Sequence, residues 1–218
     1  MDSVFRASTA ILIGAACAVS LIAGAPRETA VWILRQGGSV ALDGKRIWIS
    51  DLARLPSGDL RVTGADLSGT HIDPSDLKRI GELSDLRELF LPGYMWNNSA
   101  GSKMDANDQL RNLAGLKNLV KLHLGMHFLT DVHLQDKGVE LLAPLTQLQE
   151  LRLEQTRIKG HAFAPFVHMR CLDLTYSNFD DEGMENLKGM SELSRLYVRD
   201  TLVTDAGLEA IANLRSLT

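Results

Sequence analysis

The chain has 218 residues, 45% hydrophobic and 23% charged, which is ordinary globular material and enough for one core or an elongated array. A net charge of -4 offers no basic face to displace counterions from phosphates, so nucleic acid is not expected as a partner. The two cysteines, Cys17 and Cys171, lie far apart in the sequence and make no disulfide framework.

The first element is Ala7 to Ala25, 19 residues without a charge. As a helix it would span about 28 Å, close to a bilayer core of roughly 30 Å. Three readings stand: an uncleaved membrane anchor, a cleaved signal, or a buried soluble helix. Arg6 before the run and Ala23-Gly24-Ala25 at its end fit a signal, whereas Pro26 fits cleavage poorly. The chain is therefore expected to be membrane-anchored through residues 7–25, or exported if the segment is removed. Arg6 on one side and Arg27 and Arg35 on the other leave the membrane side open.

The next stretch, residues 27–61, reads as a cap. A helix should end at Gly37-Gly38, and a hairpin should follow with Val40 to Leu42 against Arg46 to Ile49, turned by Asp43-Gly44.

From residue 62 to 218 a phrase of the form L-x-x-L-x-L-x-x-T-x-I recurs. Its clearest copies are Leu148-Leu151-Leu153-Thr156-Ile158 and Leu193-Leu196-Val198-Thr201-Val203. Four weaker copies start at Val62, Leu86, Leu119 and Met169, giving steps of 24, 33, 29, 21 and 24 residues. The L-x-L alternation marks a short strand with one face inward, and the residues after it must carry the chain back to start a parallel neighbour. In Thr204-Asp205-Ala206-Gly207-Leu208 the return opens with a capping-type Asp205, and Leu208, Ile211 and Leu214 keep helical spacing. Asp181-Glu182-Gly183-Met184 and Asp136-Lys137-Gly138-Val139 repeat the arrangement. Strands stack about 4.8 Å apart and helices about 10 Å apart, so the stack should curve with its strands inside.

These copies resemble the leucine-rich-repeat family, in its bacterial form with ribonuclease-inhibitor-like units of 24 residues and T-D-A-G-L-like helix starts. The resemblance covers residues 30–218 and includes the lead-in from Ala30 to Val40, which is similar to those of such arrays. It implies an α/β fold: a leucine-rich-repeat solenoid with a curved parallel sheet and convex-side helices, here preceded by an N-terminal hydrophobic helix. Where the family usually has Asn or Cys, this chain has Thr70, Tyr94, His127, Thr156, Ser177 and Thr201. Four of these are hydroxyls able to satisfy a turn backbone, whereas Tyr94 and His127 leave their turns open. The chain stops at the first apolar position of a seventh copy, so the array is expected to be incomplete at its C-terminus.

Side chains beside the strand leucines should form the concave face. The central column reads Asp66, Phe90, His123, Arg152, Asp173 and Tyr197, flanked by Glu88, Lys121, Glu150, Cys171 and Arg195 on one side and by Glu154, Thr175 and Arg199 on the other. Opposite charges on neighbouring strands, Glu88-Lys121-Glu150 and Arg152-Asp173, can be plain cross-strand pairs. Alternatively, Phe90, His123, Arg152, Asp173, Arg195, Tyr197 and Arg199 are candidate partner-binding residues, since Tyr and Arg are common interface anchors. Trp96, in the insertion from Pro92 to Asn107, is either an eighth candidate or a side chain folded back on the solenoid. Asn97-Asn98-Ser99 in that insertion matches a glycosylation acceptor.

His123, His127 and His133 near Asp131 and Asp136 invite a metal hypothesis. The first histidine belongs to a strand and the second to the turn after it, which is poor ligand geometry, and no metal or cofactor is expected. Cys171 lies two strands from His123, too far for a nucleophile–base pair. The reading is thus a non-catalytic protein-binding module for a protein or cell-envelope component. The alternative is the recognition part of a larger signalling enzyme, a kinase or cyclase, with its catalytic domain beyond residue 218.

Overall fold

Alternating apolar residues and tight turns give each repeat one strand, and the strands stack into a single sheet. The computed structural model describes residues 25–96, 105–124 and 133–218. A helix α1 (25–35) leads into β1 (Ser39–Leu42) and β2 (Trp48–Ile49). Six strands follow: β3 (Val62–Asp66), β4 (Glu88–Leu91), β5 (Lys121–Leu124), β6 (Glu150–Arg152), β7 (Cys171–Asp173) and β8 (Arg195–Tyr197). The sheet order is β2-β1-β3-β4-β5-β6-β7-β8; the hairpin pairs antiparallel onto β3, and β3 to β8 run parallel. The expected hydrophobic N-terminal segment lies, except for Ala25, outside the described residues. Among the described residues, no helix is long and apolar enough to cross a membrane.

The lead-in obeys its glycines. Gly37 takes φ +86°, its N–H bonds the Leu34 carbonyl at 3.1 Å, and the Gly38 N–H bonds the Ile33 carbonyl at 3.0 Å. This pair of bonds closes a helix C-terminus with a left-handed residue that glycine adopts cheaply. At the hairpin, Asp43 and Gly44 both have positive φ and the Lys45 N–H bonds the Leu42 carbonyl at 2.9 Å, the turn whose twist suits a two-stranded ribbon.

The returns carry one helical turn each: α2 (Leu77–Ile80), α3 (Ala106–Gln109), α4 (Asp136–Glu140), α5 (Asp181–Glu185) and α6 (Asp205–Ala210). The 21-residue step from Met169 back to Leu148 has no room for a helix, and residues 153–170 return through turns that bury Phe163 and Phe166. All these returns share one apolar cluster with the inward strand leucines.

The capping assignment needs correction. The side chains that cap α5 and α6 are Asp180, bonding the Gly183 N–H, and Thr204, bonding the Ala206 N–H; Asp181 and Asp205 sit one residue later. Leu208 is 49% exposed, while Gly207 and Ala210 face inward. Asp181 instead reaches the following repeat, accepting from the Thr204 N–H at 2.8 Å and the Thr204 hydroxyl at 2.6 Å. Asp136 likewise accepts from the backbone N–H groups of Lys159, Gly160 and His161, and Asn107 Oδ1 accepts from the Gln135 N–H. Glycines in the following unit make room for two of these acceptors: a Cβ on Gly207 would stand 2.3 Å from Asp181 Oδ1, and one on Gly138 2.8 Å from Asn107 Oδ1. Aspartate reaching forward and glycine yielding behind therefore lock neighbouring returns together.

Candidate functional site: the open face of the sheet

One sheet face packs on the returns, and the other carries the side chains between the leucines. Pairing runs Asp66↔Phe90↔His123↔Arg152↔Asp173↔Tyr197, with Ala65↔Leu89↔Leu122↔Leu151↔Leu172↔Leu196 facing the core. The flanking row runs Gly64↔Glu88↔Lys121↔Glu150↔Cys171↔Arg195 and extends through Ala41 to Trp48 in the hairpin.

At one end of this face, aromatic rings meet edge to face. Phe90 lies 5.8 Å from Trp48 and 4.6 Å from His123, with interplanar angles of 71° and 87°. Trp48 fits because Gly64 below it lacks a side chain: a Cβ there would stand 2.7 Å from the indole ring.

In the middle, Glu150 gathers three partners. Its carboxylate meets His123 Nε2 at 2.8 Å, Lys121 Nζ at 3.3 Å and Arg152 Nε at 3.3 Å. Burial alone would raise the Glu150 carboxyl, but the His123 hydrogen bond and the Lys121 charge outweigh it and hold the group below its usual range. Burial lowers His123, against the opposing hydrogen bond to Glu150. That lowering favours the neutral ring, whose Nε2–H can donate to Glu150 as a hydrogen bond.

The expected cross-strand pairs are only partly present. Lys121 pairs with Glu150 and not with Glu88, and Arg152 turns to Glu150 of its own strand. Asp173, only 8% exposed, accepts from the Thr175 N–H at 3.1 Å and the Thr175 hydroxyl at 2.7 Å, closing its own turn. Glu154 lies against it. Burial first, and then the adjacent Asp173 carboxylate, push the Glu154 carboxyl up to about 6.

At the far end, Tyr197 is 45% exposed beside exposed Arg195 and Arg199. Arg199 Nε meets Asp200 at 3.0 Å, and its guanidinium lies over the Tyr176 ring, 5.8 Å from the centroid.

Trp96 must be removed from the candidate surface. It ends a 3-10 turn (Gly93–Trp96), is 1% exposed, and joins the apolar cluster, so its side chain is folded back on the solenoid. The glycosylation pattern, His127 and Asp131 lie outside the described residues. Among the described residues, no three potential metal donors converge. Cys171 is a buried free thiol pushed upward chiefly by burial. The turn hydroxyls act as their chemistry allows: Thr70, Thr156 and Thr201 donate to the carbonyls of Leu67, Leu153 and Val198, and Ser177 Oγ accepts from the Phe179 N–H. Tyr94 instead stands edge to face with His71 at 5.1 Å.

Sequence reasoning missed Trp48, which contributes the largest ring on the open face. The usable signal was the small pair Ala41 and Gly64, which leaves room for a large side chain above that row.

A family model described as a leucine-rich repeat matches residues 167–188, a span holding β7 and α5. No curated protein matches the chain. Two solved structures from Listeria monocytogenes are similar to it. The internalin inlF is 21% identical over 66% of this chain, with a TM-score of 0.49, and this chain covers 37% of its length. The internalin C2 (inlC2) is 18% identical over 76% of this chain and 85% of its own, with a TM-score of 0.46. The matched repeat thus lies within an array in which β3 to β8 each return to a parallel neighbour, the build of a leucine-rich-repeat fold.

Proposed function

We propose that the chain is a protein-recognition module that binds its partner on the open face of the sheet. One observation carries this: six neighbouring strands place Asp66, Phe90, His123, Arg152, Asp173 and Tyr197 in one register row, backed by a continuous core. Such a row is a rigid, pre-organised surface, and its aromatic and arginine residues are the types that anchor interfaces. The uncharged run Ala7 to Ala25 supports a module held at a membrane or exported across one.

Photo-crosslinking residues placed one at a time in the full chain test the reading. Adducts should form from Tyr197 and Arg152 on the open face and not from Glu140 and Glu209 on the returns. Adducts from the returns alone would overturn it.

A further inference from the structure

Three cations surround the aromatic end of the open face, and among the described residues none of them is ion-paired to a carboxylate. A cavity of about 650 Å³ opens there, lined by Lys45, Arg46, Trp48, Arg87, Glu88 and Lys121 among others. Lys121 is engaged by Glu150 at 3.3 Å. Among the described residues, Lys45, Arg46 and Arg87 make no side-chain ion pair, and each is exposed. Opposing them in the lining is only Glu88, in a chain whose net charge is -4. The local excess of positive charge thus has the opposite sign to the molecule, and Trp48, Phe90 and His123 form a ring surface along its edge.

The fold builds this arrangement. The left-handed pair Asp43-Gly44 turns the hairpin so that Lys45 and Arg46 emerge beside Trp48, whose ring needs the missing side chain of Gly64. Arg87 is fixed immediately before β4 by its backbone, which donates to the Thr63 carbonyl at 2.8 Å and accepts from the Lys121 N–H at 2.9 Å.

We infer that this pocket is a subsite for an acidic peptide segment of the partner, its carboxylates met by Lys45, Arg46 and Arg87 and a neighbouring apolar or aromatic side chain packed on Trp48 and Phe90. This deepens the protein-binding reading and rests on it. Charge complementarity identifies the class of occupant. A peptide suits the site better than a nucleic acid because Glu88 in the lining and Glu150 beside it would repel a continuous row of phosphates, whereas a peptide can place a neutral or basic residue against them.

The test uses the full chain in neutral detergent and a fluorescein-labelled peptide carrying several glutamates around one phenylalanine, read by anisotropy. Binding should weaken as salt rises and vanish when the glutamates are replaced by glutamine. Arg46→Ser with Arg87→Ser should weaken it about tenfold or more, while Arg46→Lys with Arg87→Lys keeps most of it and Glu209→Gln on the return helix α6 leaves it unchanged. Unaltered circular dichroism of the serine variant secures its fold. Equal binding of the glutamate and glutamine peptides overturns the inference, as does tighter binding of a single-stranded oligonucleotide. If the peptide fails while Tyr197 still gives adducts, this subsite alone is wrong; if the open face gives no adducts while the returns do, the wider reading falls.

Discussion

The repeat around β6 and the repeat around β8 are written in nearly the same letters, Leu148-Leu151-Leu153-Thr156-Ile158 and Leu193-Leu196-Val198-Thr201-Val203, yet they bury them differently. Leu151, Leu153 and Ile158 are fully buried, whereas Leu196, Val198 and Val203 are partly exposed and Leu202 is 61% exposed. The difference is neighbours: β6 pairs on both sides and β8 only with β7. A solenoid repeat derives its stability from the interfaces it shares, so identical motifs need not contribute equal energies.

The sharpest way to break this comparison is a matched truncation. Leu151→Ala should cost about 2–5 kcal/mol in urea unfolding and Leu196→Ala less than half as much, because the terminal side chain loses less packing. Equal losses would show that β8 is as well supported as β6. A second contrast concerns the glycines of the returns. A Cβ on Gly183 would stand 2.0 Å from the Lys159 carbonyl oxygen, which is backbone, whereas one on Gly207 meets first the movable Asp181 carboxylate. Gly183→Ala should therefore destabilise by about 1–3 kcal/mol and Gly207→Ala by less, as denaturation midpoints would reveal.

The smallest contrast lies on the open face, where Glu154 in the interior corresponds to Arg199 at the end. The Glu154 carboxyl, raised from the usual 4.5 to about 6, binds its proton more tightly in the folded chain. Its contribution is present below pH 4.5 and is lost as pH rises through about 6, since the folded state then carries the charge that burial and Asp173 disfavour. Glu154→Gln should flatten that part of the stability-against-pH curve; an unchanged slope would assign it to another group.

The strand register was legible in the sequence because a period of two fixes which side chains share a face, and Leu151 or Phe90 had no other place to go. The ends of the lead-in helix and hairpin were legible for a related reason, since Gly37 and Asp43-Gly44 permit backbone conformations that few other residues take cheaply. What local pattern could not give was pairing beyond a repeat. The row that brings Trp48 over Gly64 depends on how the hairpin docks on β3. Arg152 was expected against Asp173 on the next strand, and the built geometry turns it to Glu150 of its own strand instead. Trp96 left both an inside and an outside reading because an irregular insertion carries no periodicity. The capping positions were misassigned by one residue because consecutive acids or hydroxyls, as in Asp180-Asp181 and Thr204-Asp205, divide the work between their own helix and the next repeat.

That division gives the array a polarity. Asn107, Asp136 and Asp181 each hand an acceptor to the unit after them; each following unit offers backbone donors, and after Asn107 and Asp181 it also offers a glycine that leaves the acceptor room. A unit that carries both halves of this exchange is self-compatible: copied in frame, it presents the right acceptor to its successor and the right gap to its predecessor. Duplication of such a segment lengthens the protein without a new interface having to be invented, so the side chains of the open face are free to diversify while the joints stay the same.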